Sequence, residues 1–398
     1  MNIVKNLILI IFSTIFSLYL LEVLFSFHKL YKVNETPELT KQAEDDDEGF
    51  DTRSKIEVFN DITSTEKEKF IFNYVFKEVY INRFNSYLDK KKLVPLAGKS
   101  HSKVIHCNEN GNWSIYKSDR YGFNNNDKLW DNTNRKILYI GNSYTHGACV
   151  DYDFSLAGWS NKHFKNFSTL SLGSDGKGPI ASLASLREYY PNELSHVIYF
   201  FYEGNDLSEL KDEMKNEILL NYYKNETFLQ NLKKEQEIID KAWTKMFFDS
   251  SYNLKKSRLK RFIKLRFVRE YLSKSKKLIL FSQQSKRITK KDLKNFEEIV
   301  LKMKNFSESL NSKFSIVYLP SPARYFKPFN ENAEYNYYDN IIDIFNRNDI
   351  DYLDVKSNLF GLSNDPKALF PRRKFNHYSA KTYGKIVELM KKSIILNH

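Results

Sequence analysis

Four short apolar runs, each stopping on small or polar residues, constrain this chain more than any other feature. The first lies within residues 136–150, KILYIGNSYTHGACV, where β-branched and aromatic side chains at 137–140 stop at Gly141 and deliver Ser143 into a polar turn. Similar runs at 167–172, 196–202 and 314–319 stop at Gly173, at Glu203-Gly204-Asn205-Asp206 and at Pro320, and a shorter one occupies 351–355. Helical patterns at 153–164, 180–190 and 335–347 alternate with them, which predicts a doubly wound α/β domain. Parallel connectivity would bring Ser143, Gly173 and Asn205 to one sheet edge, the place where open sheets bind ligands. A serine there is placed to be a nucleophile, although a lone serine after a strand serves equally well as a helix cap.

At 398 residues, with 41% apolar and 15% aromatic content, the chain can bury a substantial core. Its formal charge of +13 invites an anionic partner. Lys, Asn, Ile, Phe and Tyr are all abundant, however, and no helix-turn-helix, zinc or RNA-binding pattern accompanies the charge, so it reads as compositional bias and no nucleic-acid partner is expected.

Residues 7–27, LILIIFSTIFSLYLLEVLFSF, carry one carboxylate, Glu22, and as a helix would extend about 30 Å, enough to span a bilayer. Large residues persist through Phe27, so an uncleaved anchor is expected, with residues 1–6 in the cytoplasm and the body in the periplasm or outside the cell. Residues 28–130 read as linker and membrane-proximal segment, in which Phe72, Val75, Phe76 and Val79 suit one helix face. An oxidising compartment would allow Cys107 and Cys149 to pair and tie this segment to the Ser143 loop; the alternative is two separate thiols. Residues 131–398 form the main domain, with a long helical insertion at 207–312. Within that insertion, 254–277 carries an apolar face (Leu259, Phe262, Ile263, Phe267, Tyr271) rimmed by Lys and Arg, read as core-facing in preference to membrane-lying.

Cleaving an acyl ester takes a nucleophile, a base and donors aimed at the oxyanion. His377, in the loop after the last predicted strand, can supply the base. The residues GNS at 141–143, SLGSDGKGP at 171–179, EGND at 203–206 and HY at 377–378 resemble, in order, the four blocks of the SGNH (GDSL-like) hydrolase family across about residues 135–396. The resemblance implies a three-layer α/β/α, flavodoxin-like fold around a central parallel sheet, and esterase, lipase or carbohydrate deacetylase chemistry without metal or organic cofactor. It implies Ser143 as nucleophile, His377 as base, and an oxyanion hole from the Ser143 and Gly173 amides and the Asn205 side chain. Some members instead transfer acetyl groups to cell-surface polysaccharides.

Two positions depart from the family pattern. Asn142 replaces the usual aspartate of the first block, a residue that mainly organises the turn. The aspartate expected two or three residues before the histidine is absent, since Phe375 and Lys374 stand there. A backbone carbonyl could orient His377 in a Ser-His dyad, or Asp354, Asp365 or Glu203 could substitute. His146 is a second imidazole, poorly placed only three residues from Ser143, and His101, His106, His163 and His196 show no ligand spacing, so no metal is assigned. The expectation is a single-pass, membrane-anchored bacterial esterase or deacylase acting on an acylated small molecule or polysaccharide. The alternatives are an acyltransferase modifying a cell-surface polysaccharide and a catalytically silent glycan-binding or scaffold protein.

Overall fold

The computed structural model describes residues 2–34, 49–65, 70–88, 91–247, 265, 268, 287–326 and 333–395. The chain divides into two units, Met1–Glu48 with Phe247–Arg287, and Gly49–Met246 with Ile288–His398. In the first unit, helix α1 (Asn2–Asn34) contains a stretch, Lys5–Leu24, long and apolar enough to cross a membrane. Its one carboxylate, Glu22, is buried and accepts a hydrogen bond from the Val268 backbone N–H at 2.8 Å. The basic amphipathic segment read at 254–277 lies, apart from Leu265 and Val268, outside the described residues.

The second unit begins with helix α2 (Lys55–Thr65), strand β1 (Phe70–Phe72), helix α3 (Glu78–Asn85), and strands β2 (Lys103–Ile105) and β3 (Ile115–Lys117). β1 pairs parallel to β2, and β2 antiparallel to β3, in a small sheet of its own. The single helix face read through Phe72, Val75, Phe76 and Val79 is not formed: Phe72 belongs to β1, Val75 and Phe76 lie in the connection, and Val79 is exposed on α3. Pairing with β2 fixes the extended backbone here and overrides the local spacing. Nor is this region a linker, since Tyr74, Phe76, Phe84 and Leu96 join the same core as the main sheet.

The main sheet contains strands β4 (Arg135–Gly141), β5 (Phe167–Ser171), β6 (Leu194–Tyr202), β7 (Lys313–Leu319) and β8 (Asp351–Asp354), all parallel, in the order β5-β4-β6-β7-β8. Strands covered on both faces read as continuous apolar runs, which is how β4 reads. Leu138 and Ile140 point into one core and Ile137 and Tyr139 into the other, all completely buried, as the two-residue period of a strand requires.

Helices α4 (Ser143–His146) and α5 (Leu156–His163) follow β4, and α6 (Pro179–Tyr189) follows β5. After β6 come α7 (Asp206–Glu213), α8 (Glu217–Lys224) and α9 (Lys290–Ser309); α10 (Tyr338–Arg347) precedes β8, and α11 (Ala380–Met390) closes the fold. Residues of α6 to α10 fill one core, and those of α4, α5 and α11 fill the other, giving three layers. The read insertion at 207–312 is therefore not an appendage throughout: Leu207, Leu210, Leu219, Phe296 and Met303 belong to the helical layer, while Phe247–Arg287 falls in the first unit. The chain leaves β4 towards β5 on one side and returns to β6 on the other, so the topological switch point lies at the carboxyl end of β4.

Candidate active site

Ser143 begins α4 directly beyond that switch point. Asn142 caps the helix, its side-chain oxygen accepting from the Tyr144 amide at 3.0 Å, and donates through Nδ2 to Asp206 Oδ1 at 2.8 Å. The residue that departs from the family pattern thus ties the serine turn to the turn after β6. Burial pushes the Asp206 carboxyl well above its usual range, despite hydrogen bonds from the Tyr202 amide and the Tyr199 hydroxyl. Only glycine fits at Gly141, where φ is +148° and a Cβ would lie 2.3 Å from Thr145 Oγ1. At Gly173 a Cβ would lie 2.3 Å from the His146 amide nitrogen, so the turn after β5 presses directly on the backbone of α4.

His377 reaches the same edge from the loop before α11. Its Nε2 lies 3.0 Å from Ser143 Oγ. The Tyr144 hydroxyl holds that loop by donating to the Asn376 carbonyl at 2.5 Å, and the Tyr144 and His377 rings are 5.1 Å apart.

The other face of the imidazole carries the acid missing from the local sequence. Glu109 Oε1 lies 2.9 Å from His377 Nδ1, and Glu109 Oε2 accepts from the His377 backbone N–H at 2.8 Å. One carboxylate therefore clamps ring and backbone together, assigning the proton to Nδ1 and leaving the Nε2 lone pair facing Ser143. Burial opposes charge on His377, but the Glu109 carboxylate, with a smaller contribution from Asp175, raises its pKa above the usual 6.5. Burial likewise resists the Glu109 charge, and the His377 partner overcomes it to hold the carboxyl below the usual range.

None of the acids named from sequence fills this role. Glu203 is buried against Arg324, with Nε and Nη2 at 2.9 and 2.7 Å, and also accepts from the Ser321 amide and the Tyr318 hydroxyl. Asp354 accepts from the Tyr338 hydroxyl at 2.7 Å, and Asp365 pairs with Arg373. Nor does a backbone carbonyl hold the ring: Nδ1 is taken by the glutamate. Sequence reasoning missed Glu109 because it lies 268 residues from His377, in a segment read as linker.

Glu109 occupies the tip of the β2–β3 hairpin, two residues after Cys107, which is bonded to Cys149 in the loop after α4. Cys149 adopts φ +60°, and its Sγ lies 3.8 Å from His377 Nδ1. Glu109, Cys149 and His377 bring potential metal-ligand atoms within 4.8 Å of one another. The sulfur is consumed by the disulfide and the other two by their mutual hydrogen bond, so this set does not fit a resident ion.

Of the donors expected from sequence for an oxyanion, the Ser143 amide opens α4, where backbone N–H groups lack intrahelical acceptors. The Gly173 amide donates to Ser171 Oγ at 3.2 Å, and Asn205 Nδ2 makes only a 3.5 Å contact to Glu209. Both are long bonds of the kind a stronger acceptor displaces. His146 takes no part: its Nδ1 meets the Gly173 carbonyl at 3.3 Å, and burial, reinforced by the charge of His106, lowers its pKa to about 3. His106 Nε2 lies 2.8 Å from Asp175, and His196 Nε2 the same distance from Ser315.

No family model and no curated protein matches the chain. Among solved structures, it is similar to a lipolytic protein of the G-D-S-L family from Desulfitobacterium hafniense DCB-2, at 14% identity and a TM-score of 0.36, over 66% of this chain and all of that one. It is also similar to the lipase/acylhydrolase from Enterococcus faecalis, at 11% identity and 0.37, over 66% and 96%. A third is the psychrotrophic esterase EstA from Pseudoalteromonas sp., at 11% and 0.34, over 67% and 100%. At these scores the fold and site rest on their own geometry.

Proposed function

We propose that this protein is a serine ester hydrolase of the SGNH type. The observation that carries the reading is the continuous Ser143–His377–Glu109 relay over the carboxyl end of β4. Ser143 Oγ attacks the ester carbonyl while His377 Nε2 takes its proton; Glu109 keeps Nδ1 protonated and stabilises the imidazolium. The tetrahedral oxyanion is received by the Ser143 and Gly173 amides and the Asn205 side-chain amide. His377 returns the proton to the leaving alcohol, and water attacks the acyl-enzyme by the same route. Glu109 also removes the reason for a catalytically silent reading, which rested on the absent local acid.

We further propose that α1 anchors the protein in a membrane, with the catalytic unit outside the cytoplasm and acting on an acylated small molecule or polysaccharide. The apolar stretch Lys5–Leu24 and the Cys107–Cys149 disulfide, a bond of oxidising compartments, support that placement.

A fluorophosphonate probe tests the chemistry: the wild type is expected to gain one adduct, on Ser143, and Ser143→Ala none. An unlabelled wild type, or labelling that survives Ser143→Ala, would overturn the reading. Ester turnover that requires an added glycan hydroxyl would redirect it to acyl transfer.

A further inference from the structure

The hairpin that carries Glu109 is weakly built. Its strands β2 and β3 are three residues each, and the nearby core consists of Val58, Phe70 and Ile105 with partly buried neighbours. Past Ile105 the hairpin continues through the pairs His106 N–H to Ser114 O and Ser114 N–H to Cys107 O, both 2.9 Å, and the turn beyond Cys107 projects towards His377. Two hydrogen bonds dock it on the loop after α4, Asn110 Nδ2 to the Cys149 carbonyl at 2.9 Å and Ser114 Oγ to the Val150 carbonyl at 2.7 Å. Two more tie the turn to the chain near Asp51: the Asp51 amide donates to the Gly111 carbonyl at 2.7 Å, and Asn108 Nδ2 donates to the Asp51 carbonyl at 2.9 Å. The covalent tie is Cys107–Cys149, two residues from the acid at one end and six from Ser143 at the other.

We propose that the Cys107–Cys149 disulfide is a positioning element for the catalytic acid, so that esterase activity is switched off when this bond is reduced. The inference rests on the serine-hydrolase reading and adds a dependence on redox state to it. Of these docking bonds the two made by Asn108 and Asn110 at the turn are only partly buried, and bonds of that kind at a loop tip open more readily than those of a core. A covalent cross-link between two loops 42 residues apart in sequence removes most of the open arrangements. The same sulfur packs 3.8 Å from the ring atom that Glu109 engages, so the bond also limits how far the imidazole can turn. Reduction by a dithiol proceeds by attack of its thiolate on one sulfur and resolution of the mixed disulfide by its second thiol. Two electrons and two protons pass to the protein, leaving two cysteine thiols and an oxidised cyclic reagent. The hairpin then undocks, Glu109 leaves Nδ1, and His377 loses both its fixed tautomer and the charge that stabilises its imidazolium.

The test uses the full-length protein in detergent and follows fluorophosphonate labelling of Ser143 across pH in five forms: oxidised wild type, dithiothreitol-reduced wild type, Cys107→Ser with Cys149→Ser, and Glu109→Gln oxidised and reduced. Thiol titration verifies the reduction, and near-ultraviolet circular dichroism verifies the fold. The expected result is a loss of about 10²-fold or more in labelling rate on reduction or in the double serine variant. The acidic limb of the pH profile should move to lower pH, as it does in oxidised Glu109→Gln, and reducing Glu109→Gln should cost nothing further. A reduced, folded wild type with unchanged rate and pH limb would overturn the proposal while leaving the hydrolase reading intact. So would a loss that tracks global unfolding, or one that adds to that of Glu109→Gln. An oxidised wild type that fails to label would instead sink the hydrolase reading itself.

Discussion

The proposed nucleophile and the proposed acid of this site stand on scaffolds of very different kinds. Ser143 stands beyond β4, an inner strand of a five-stranded parallel sheet, and residues 137–140 of that strand are completely buried. Glu109 hangs from a hairpin of three-residue strands outside that sheet, fastened by a disulfide and a few loop hydrogen bonds. His377 is the meeting point, bonded to both. The difference suggests a division of labour. In the proposed mechanism the sheet supplies the fixed geometry that attack requires, whereas the acid sits on a hairpin of three-residue strands whose docking a disulfide secures.

If the division holds, substitutions on the two scaffolds should differ in kind. The largest effect belongs to the sheet edge: Ser143→Ala or His377→Ala should lower kcat/KM on a simple aryl ester by about 10⁶-fold, with the fold unchanged by circular dichroism. Glu109→Gln should lower it by up to about 10⁴-fold and move the acidic limb of the pH profile downwards. The sign comes from the pair. The base must be neutral, Glu109 raises the pKa of His377 above 6.5, and removing that charge lets His377 deprotonate at lower pH. An unchanged limb would remove Glu109 from the relay.

Glu203→Gln sharpens the contrast, because it breaks a carboxylate–Arg324 pair beneath the sheet edge, not the relay. It should cost about 3 kcal/mol in denaturant unfolding while leaving the pH limb in place. Smaller again, Asn142→Asp faces one carboxylate with another, since Asn142 now donates to Asp206. A loss of about 1–3 kcal/mol is expected. It should be least below pH 3.8, where Asp206 is protonated folded or unfolded, and should grow as pH rises through the elevated folded value. Thermal melts of the two proteins across pH would measure it.

The sheet side of this comparison is legible in the sequence because its signals are local. The apolar runs ending at Gly141, Gly173 and Glu203 mark strand ends, and parallel connectivity gathers the turns beyond those strands at one edge. The hairpin side is written in no local pattern. Three-residue strands carry too little periodicity to read, so Phe72 and Phe76 suggest a helix face where pairing with β2 imposes a strand and a connection. Glu109 is one of 49 acidic residues, with nothing in its neighbours to mark it. Two clues point towards it jointly: the missing acid before His377, and a cysteine two residues from Glu109 whose partner lies just past the nucleophile. Neither names the residue without coordinates, because the contact joins positions 268 apart through a tertiary docking.

The most direct measurement is the titration of the His377 ring by nuclear magnetic resonance in the oxidised protein, compared with Glu109→Gln. A wild-type pKa above 6.5 that falls when the carboxylate is removed is the predicted result. A His377 that titrates identically in the two proteins would contradict it, because Glu109 would then not hold the imidazole that serves Ser143.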